Sequence, residues 1–342
     1  MVSIRRPIRR LLQSVGLVAA GALVLAACGS GSGSGSGSTA PASAAAASGA
    51  FPATVTHKFG TTTVPAAPQR VVSLGYTDQD AILALGVVPV AIREFTGSKP
   101  SATWEWAQSK LNGQKPQVLP IGEIGTETIA ALRPDLIIGI SAGLTQDQYA
   151  TYSKIAPTIA APAGFVDYGT PWQDATRITG QALGRTAEAA KLVSDLEAKI
   201  AAVKQQYPAL QGRTVAAVRP STTNDGYFVW SSQDLRGRFL TSIGMTVPQE
   251  FDQLAGQNFY ATISKEEIGK LNPVDSLVLI TASAAERQAM EAFPGWSQLQ
   301  PVTAGHLLSL DDTQSAALSF SSVLSLPTVL DTIPKDLAAR LG

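Results

Sequence analysis

Short apolar runs alternate with amphipathic segments along most of the chain. "RVVSLG" (70–75), "GVVPVAI" (86–92) and "DLIIGI" (135–140) are rich in β-branched apolar residues, which is typical of buried strands. Between them, "TDQDAILAL" (77–85) and "TETIAAL" (126–132) have the spacing of short helices. Strands that alternate with helices predict a mostly parallel sheet.

The middle of the chain predicts helix without strands. "PWQDATRITGQALG" (171–184) is one helical segment, and "TAEAAKLVSDLEAKIAAVKQQYP" (186–208) is a longer one. At 1.5 Å per residue the longer helix would be roughly 30 Å long, about the diameter of a small domain. Apolar residues recur in it at three- and four-residue steps, which indicates one buried face; they are Val193, Leu196, Ile200, Val203 and Tyr207.

The layout of the first half returns after this helix. "TVAAVRPS" (214–221) resembles "RVVSLGYTD", and "SIGMTVP" (242–248) resembles "ALGVVPV" (84–90). "EEIGKLNPVDSLVLI" (266–280) resembles "ETIAALRPDLIIGI" (127–140), with Glu, Ile, Leu and Pro in step. Three such similarities in the same order predict two lobes of related construction.

The predicted fold class is therefore α/β, with two Rossmann-like lobes, each a mostly parallel sheet flanked by helices. One long connecting helix joins them. We expect an N-terminal lobe at 57–170, a helical connector at 171–208 and a C-terminal lobe at 209–342.

The N-terminal segment predicts export and lipid attachment. Four arginines precede the apolar run "LLQSVGLVAAGALVLAA" (11–27), which is shorter than the ~20 residues of a membrane span. The following "LAAC" is similar to the lipobox of bacterial lipoproteins, which makes Cys28 the lipidated residue. We expect 1–27 to be a signal peptide and 28–56, rich in Gly, Ser and Ala, to be a flexible tether. The export route, general or twin-arginine, stays open.

Charge and ligand chemistry exclude some classes of function. Removing residues 1–27 takes away four arginines and no acidic residue, which leaves 22 basic against 26 acidic residues and argues against nucleic-acid binding. Cys28 is the only cysteine, so no thiolate metal site is expected. The only histidines, His57 and His306, cannot form the clustered set that binds a bare metal ion. We expect no resident metal and no cofactor.

The chain resembles the substrate-binding lipoproteins of bacterial ABC importers for ferric siderophores, haem and cobalamin. The likeness lies in "PQRVVSLGYTDQDAILALGVVPVAI" (68–92), "ETIAALRPDLIIGI", "YSKIAPTI" (152–159), "SKEEIGKLNPVDSLVLI" and "GHLLSLDD" (305–312). It implies a monomeric binding protein, not an enzyme, held by the lipid on Cys28 at the extracytoplasmic face of the cell membrane. Its cargo would be a ferric siderophore, with haem or cobalamin as the alternative, and its partner an ABC permease.

Candidate ligand-binding residues lie at or after predicted strand ends, where ligands sit in open α/β sheets. Aromatic faces suit the apolar rim of a ferric chelate, and arginine forks suit its oxygen-rich edges. Each aromatic residue has core packing as its alternative role, and each arginine has simple solvation. Arg236 matches an arginine that siderophore-binding relatives point into their cleft. The candidates are Tyr76, Arg93, Trp104, Ser141, Arg219, Trp230, Arg236, Ser283 and Arg287.

Ser141 also lies in a G-x-S-x-G pattern, Gly139 to Gly143, directly after a predicted strand. This is the order of a nucleophile elbow, so an exported serine esterase using Asp275 and His306 is the alternative from another class. However, no oxyanion segment of the HGGG type appears in the sequence, and two lobes would separate Ser141 from His306. We expect Ser141 and Gly143 to line a ligand cleft, with a plain turn as the other interpretation.

Two glutamates are candidates for contact with the permease. In the resembled family, one glutamate on the upper surface of each lobe meets arginines of the permease. The motifs match Glu127 and Glu266, although Glu267 can replace Glu266 because the doublet leaves the register open. A helix N-terminus also favours an acidic residue, and that role is compatible with docking.

Overall fold

The computed structural model describes residues 51–221 and 226–342. The expected signal peptide, Cys28 and most of the expected tether lie outside these residues. The strands are β1 (Ala53–His57), β2 (Gly60–Val64), β3 (Val71–Ser73), β4 (Ala91–Arg93), β5 (Gln117–Leu119), β6 (Leu136–Gly139), β7 (Thr158–Ala160), β8 (Val215–Pro220), β9 (Gly226–Trp230), β10 (Tyr260–Ser264), β11 (Ser276–Leu279) and β12 (Leu307–Ser309).

The helices alternate with the strands in most of the chain. Within the described ranges, none is both long and apolar enough to cross a membrane. They are α1 (Asp78–Ala84), α2 (Glu105–Gln108), α3 (Thr126–Ala131), α4 (Gln146–Tyr152), α5 (Trp172–Ala182), α6 (Thr186–Gln206), α7 (Leu235–Ser242), α8 (Gln249–Ala255), α9 (Ala284–Glu291), α10 (Gln300–Thr303), α11 (Asp312–Phe320) and α12 (Ile333–Leu341).

The N-terminal lobe contains a parallel sheet of five strands in the order β5-β4-β3-β6-β7. Every residue of β3 and β6 is buried, as expected for strands covered on both faces. Val71 and Ile138 pack with Ile82 on one face of the sheet. Val72 and Ile137 pack in a separate cluster on the other face. The predicted fold class is confirmed in this lobe.

The C-terminal lobe has a mixed sheet in the order β10-β9-β8-β11-β12. Strands β8, β11 and β12 are parallel, as predicted. Strands β9 and β10 run antiparallel to their neighbours, which the prediction of two similar sheets missed. The connection between β8 and β9 spans only 221–225, too short for the crossover that a parallel neighbour requires.

The internal similarity of the lobes has a physical counterpart at one aspartate in each. The carboxylate of Asp135, before β6, accepts the backbone N–H groups of Gln69 and Arg70, both at 2.8 Å. Asp275, before β11, accepts the N–H of Thr214 at 2.7 Å in the same way. Each aspartate therefore holds the start of the central strand against its parallel neighbour.

The lobes also share a glycine at an equivalent position. Gly86 and Gly244 each follow a helix, and their φ angles are positive, 77° and 106°. Left-handed backbone of this kind favours glycine. The segments after these glycines then diverge. β4 pairs with β3 from Ala91, whereas "SIGMTVP" forms only one parallel bridge, between Thr214 and Thr246.

Helix α6 has 21 residues and contributes to the cores of both lobes. Near its start, Ala189 packs into the core of the N-terminal lobe. Further along, Leu196, Ile200 and Val203 pack into the core of the C-terminal lobe. Between these, Leu192 packs against both cores. The predicted connecting helix and its buried face are confirmed.

A hairpin of β1 and β2 precedes the N-terminal sheet. Strand β1 begins at Ala53, within the range expected to be tether, so the folded chain starts earlier than the expected boundary at 57. The pattern that marks this strand is an alternation of buried and exposed residues in "ATVTH", which a composition rich in Thr and Ala conceals.

A buried carboxylate joins the two lobes. Asp80 of α1 is 1% exposed and accepts hydrogen bonds from Ser322, which follows α11, and from Nε1 of Trp106 at 2.9 Å. Phe320, the last residue of α11, packs against Trp106 at 5.3 Å between ring centroids. Burial raises the pKa of Asp80 to about 6, while these two hydrogen bonds favour its charged form.

Replacing this carboxylate with the isosteric amide, Asp80→Asn, should change how stability depends on pH. The unfolded group titrates near pH 3.8 and the folded one near 6, so the native wild type binds more protons between these values and loses stability as the pH rises. The variant lacks this loss, so its unfolding free energy relative to wild type should rise by about 2 kcal/mol from pH 4 to pH 7. Urea unfolding of both proteins at the two pH values measures this. Parallel pH profiles would contradict it.

Candidate ligand-binding cleft

The carboxyl ends of the N-terminal strands meet at one edge of the lobe, because the strands are parallel. Tyr76 follows β3, Phe95 follows β4 and Ser141 follows β6. Tyr168 lies on the longer connection between β7 and α5. These four side chains form the N-terminal wall of a cleft between the lobes.

One face of the antiparallel strands β9 and β10 forms the C-terminal wall. Side chains alternate along β9, so Phe228 and Trp230 face the cleft, whereas Tyr227 and Val229 are fully buried in the core. Tyr260 of β10 is the register partner of Trp230 and also faces the cleft. Arg219 of β8 is the partner of Phe228 and completes this wall.

The cleft consists of two adjoining cavities. The inner chamber, of about 400 Å³, is lined by the four side chains of the N-terminal wall and by Arg219, Phe228, Trp230 and Tyr260 of the C-terminal wall. Phe259, Asp234 and Arg236 also line it. The outer chamber, of about 770 Å³, is lined among others by Lys99, Trp104 and Asp312. Both chambers share Phe95, Arg219, Arg236 and Ser319, so they form one continuous space.

Aromatic rings contact one another around the inner chamber and across the lobes. Tyr76 packs against Phe95 and Tyr168, with centroids 5.1 and 5.8 Å apart. Tyr168 meets Phe259 of the other lobe edge-on at 5.6 Å, and Phe259 packs on Tyr260 at 4.8 Å. Burial raises the pKa of Tyr168, so its phenol stays protonated as a neutral donor.

The two cleft arginines are held by carboxylates. Arg236 makes two hydrogen bonds of 2.7 Å to Asp234, and its guanidinium carbon lies 4.2 Å from the ring centroid of Trp230. Asp234 also caps the N-terminus of α7, and its side chain is fully buried. Arg219 donates from Nε to Glu286 at 2.7 Å. The guanidinium groups are therefore fixed in position before any ligand arrives.

Ser141 fastens two neighbouring loops together. Its Oγ donates to Oδ1 of Asp78 at 2.7 Å and accepts from the N–H and the hydroxyl of Thr77, both at 3.0 Å. Burial raises the pKa of Asp78, whereas its hydrogen bonds with Ser141 favour the charged form. His306, the base that an esterase would need, pairs instead with the backbone oxygen of Asp275 beside β12. The contacts of Ser141 are those of a structural residue at the cleft floor.

Six of the nine sequence candidates line the cleft, and three do not. Tyr76, Ser141, Arg219, Trp230 and Arg236 line the inner chamber. Trp104 lines the outer chamber, although it is only 5% exposed and stacks on Trp106.

The other three candidates have structural roles behind the walls. Arg93 lies over the Tyr76 ring, 4.2 Å from its centroid, and donates to the carbonyls of Ile121 and Gly122. Ser283 caps α9 by accepting the N–H of Glu286. Arg287 donates to the carbonyl of Leu310 at 2.8 Å.

The nine candidates omit six aromatic or acidic members of the inner chamber: Phe95, Tyr168, Phe228, Asp234, Phe259 and Tyr260. Phe95 had a usable signal, since it lies three residues beyond the predicted strand end at Ile92. Tyr168 and Phe259 lie in connections whose paths depend on the tertiary fold. Their sequence neighbours carry no pattern that indicates a cleft.

The expected docking glutamates are exposed near the same edge of each lobe. Glu127 lies in the first turn of α3, which follows the carboxyl end of β5. Glu266 lies two residues beyond the end of β10, and Ser264 at that end pairs with Gly226 beside the end of β8. Its neighbour Glu267 forms an ion pair with Lys270, within the same short turn.

Comparisons with known proteins agree with this geometry. A crystal structure of a periplasmic solute binding protein from Mycobacterium smegmatis superposes with a TM-score of 0.76 and 37% identity, over 85% of this chain and 99% of that chain. A Bacillus subtilis protein named as an ABC transporter substrate-binding lipoprotein is 28% identical over 298 residues, 83% of this chain and 88% of the relative. The ferric enterobactin-binding periplasmic protein of Escherichia coli is 26% identical over 297 residues, 81% of this chain and 89% of the relative.

Two α/β lobes, a shared helix and a preformed cleft define a solute-binding protein of the single-helix type. The family model described as periplasmic binding protein matches residues 71–313, which include the cleft walls and α6. The chain belongs to this family, and the resemblance seen in the sequence is confirmed.

Gly143 supports the position of Tyr168, and Gly143→Ala should disturb it. Gly143 has φ 62°, and a Cβ there would lie 2.4 Å from Oη of Tyr168. Gly164 is a matched control, since it has φ 89° with nothing within 4 Å of a Cβ. Each alanine should cost about 1 kcal/mol for its left-handed backbone, and Gly143→Ala should cost more because Tyr168 must move. Urea unfolding and near-ultraviolet circular dichroism compare the two, and equal effects would contradict this role.

Proposed function

We propose that this protein binds a ferric siderophore in the cleft between its lobes and delivers it to the permease of an ABC importer for iron uptake. The observation that carries the proposal is the inner chamber, a preformed space that is lined by seven aromatic side chains and whose charged groups are fixed in ion pairs. Its volume of about 400 Å³, continuous with the larger outer chamber, suits a compact chelate with peripheral arms.

The cleft walls suit a metal that arrives already chelated. Within residues 51–221 and 226–342, no group of three or more His, Cys, Asp or Glu side chains could hold a metal ion. Tyr76 donates its hydroxyl to the carbonyl of Ile121 at 3.0 Å, and the raised pKa of Tyr168 keeps its phenol protonated. Tyr168 is therefore suited to donate a hydrogen bond to a ligand oxygen and not to coordinate iron as a phenolate, whereas the hydroxyl hydrogen of Tyr76 is already donated to Ile121.

The relatives support the same class of cargo. A protein named as ferric enterobactin-binding and one named as Fe(3+) dicitrate-binding, both from Escherichia coli, align over 89% and 86% of their own lengths. The cargo of the present chain is thus proposed to be an iron chelate, with haem or cobalamin as the alternative that the test below distinguishes.

Location and delivery complete the proposal. Cys28 would carry the lipid at the extracytoplasmic face of the membrane, as in the relative named as a lipoprotein. Glu127 and Glu266 would meet basic residues of the permease, because both are exposed at the cleft edge of their lobes. The protein would act as a monomer, with the two lobes of one chain supplying the whole site.

Quenching of tryptophan fluorescence tests the binding step directly, because Trp230 lies in the inner chamber and Trp104 in the outer one. The full-length protein in detergent is titrated with ferric siderophores of the hydroxamate, catecholate and carboxylate types, with haem and with cobalamin. We expect saturable binding of a ferric siderophore. Tyr168→Ala should weaken it about tenfold by removing one aromatic wall contact.

The control for this titration is Tyr207→Ala, which truncates a half-buried tyrosine at the end of α6, outside both chambers. It should leave the affinity unchanged. Tight binding of haem or cobalamin alone would replace the cargo, and no binding across the panel would contradict the proposed function.

The docking role has a separate test in transport. Uptake of the labelled ferric chelate is measured in cells that express the wild type or the pair Glu127→Ala and Glu266→Ala. Loss of both carboxylates should lower uptake about tenfold or more, with unchanged chelate affinity, because charge pairs at such interfaces set partner recognition. Asp195→Ala, an exposed carboxylate on α6, is the control that should leave uptake unchanged. Normal uptake by the double variant would refute the docking role.

A further inference from the structure

The basic side chains of the cleft share one property that bears on the charge of the cargo. Among the described residues that line the two chambers, each Lys or Arg lies 2.7 Å from a carboxylate oxygen. In the inner chamber the pairs are Arg236 with Asp234 and Arg219 with Glu286. In the outer chamber Lys99 pairs with Glu105.

These pairs are built into the fold. The side chains of Arg236 and Asp234 are 11% and 0% exposed, so turning Arg236 toward a ligand would leave a buried aspartate without its cation. Glu286 is 17% exposed and its other oxygen accepts the N–H of Ala282, which fixes it against Arg219. The guanidinium groups therefore offer N–H donors to a ligand, but little net positive charge.

The remaining charges near the cleft do not restore an excess of positive charge. Asp312, an exposed residue at the start of α11, adds a carboxylate to the outer chamber. Arg93 adds a cation, but it lies over the ring of Tyr76, outside both chambers, and donates to backbone carbonyls. The described surroundings are close to neutral in total, and half of the residues that line the inner chamber are aromatic.

We propose that the cleft selects a ferric chelate whose net charge is close to zero, and that a tris-hydroxamate complex is therefore preferred over the trianionic complex of three catecholates. This inference rests on the proposed function and names the chemical class of its cargo. A trianion would lose its hydration in a space where every lining cation is already neutralised, and aromatic walls return no comparable interaction. A neutral complex loses much less hydration and can use the same N–H donors for its carbonyl oxygens.

The experiment compares three probes on the full-length protein by fluorescence quenching. Ferrichrome is a neutral ferric tris-hydroxamate. Ferric enterobactin is a tris-catecholate trianion, and ferric citrate is a carboxylate anion. We expect ferrichrome to bind at least about a hundredfold more tightly than ferric enterobactin, since the paired cations offer little net charge to the trianion. Its affinity should be nearly independent of ionic strength, as for any ligand without net charge.

Two isosteric variants test the cause of this preference. Asp234→Asn keeps a side chain that caps helices well, and Glu286→Gln keeps an acceptor for Arg219, but each removes a negative charge. Each should raise the affinity for ferric enterobactin relative to the affinity for ferrichrome by about tenfold or more. Asp195→Asn, which removes the partner of Lys191 on α6, is the matched control and should change neither affinity.

The outcomes test the charge selection, the role of the ion pairs and the proposed function separately. Tighter binding of the trianion or of ferric citrate by wild type would overturn the charge selection but leave the proposed function in place. An unchanged ratio in both charge variants, with circular dichroism showing them folded, would overturn the role of the ion pairs. Binding of none of the three chelates would overturn the proposed function and this inference with it.

Discussion

The sharing of helix α6 between two hydrophobic cores is the constraint on which the rest of the structure depends. Because Leu192 packs against both cores, a movement of one lobe against the other must bend the helix or disturb a close-packed interior. The contacts of Asp80 with Ser322 and of Phe95 with Phe320 brace the lobes from the cleft side. The two walls are thus held at a set separation without ligand, and binding requires little further ordering of the chain.

This rigidity explains why the polar groups of the cleft can remain paired. In a hinge that opens widely, water would reach Asp234 and Arg236 and weaken their mutual attraction. Here the pair is almost fully buried, stacked on Trp230 and tied to the N-terminus of α7. Recognition is left to shape, to aromatic contact and to a few fixed donors, while the ion pairs orient those donors.

Local patterns were sufficient to predict the alternation of strands and helices, the long helix and the edge of the sheet at which the cleft lies. The spacing of Val193, Leu196, Ile200 and Val203 is a property of neighbouring residues, so the sequence alone reveals it. Arg287 shows the limit, because a position after a strand says which edge a residue occupies but not which way its side chain points.

Interactions between distant parts of the chain were beyond these patterns. The antiparallel placement of β9 and β10 depends on pairing between separate segments, and so does the path that brings Phe259 to Tyr168. Glu286 lies 67 positions from the Arg219 that it neutralises. The sequence therefore shows an arginine that could bind an anionic ligand. Only the folded protein shows that a carboxylate of the same chain already pairs with it.

The alternation along β9 separates two kinds of evolutionary change. Tyr227 and Val229 belong to the core, so substitutions there are limited by folding. Phe228 and Trp230 lie on the other side of the same backbone and line the inner chamber, Trp230 with only 5% of its surface exposed. A lineage can exchange these outward positions for new cargo while the inward positions hold the strand in register. Proteins that share this scaffold can therefore diverge in ligand specificity while the fold stays the same.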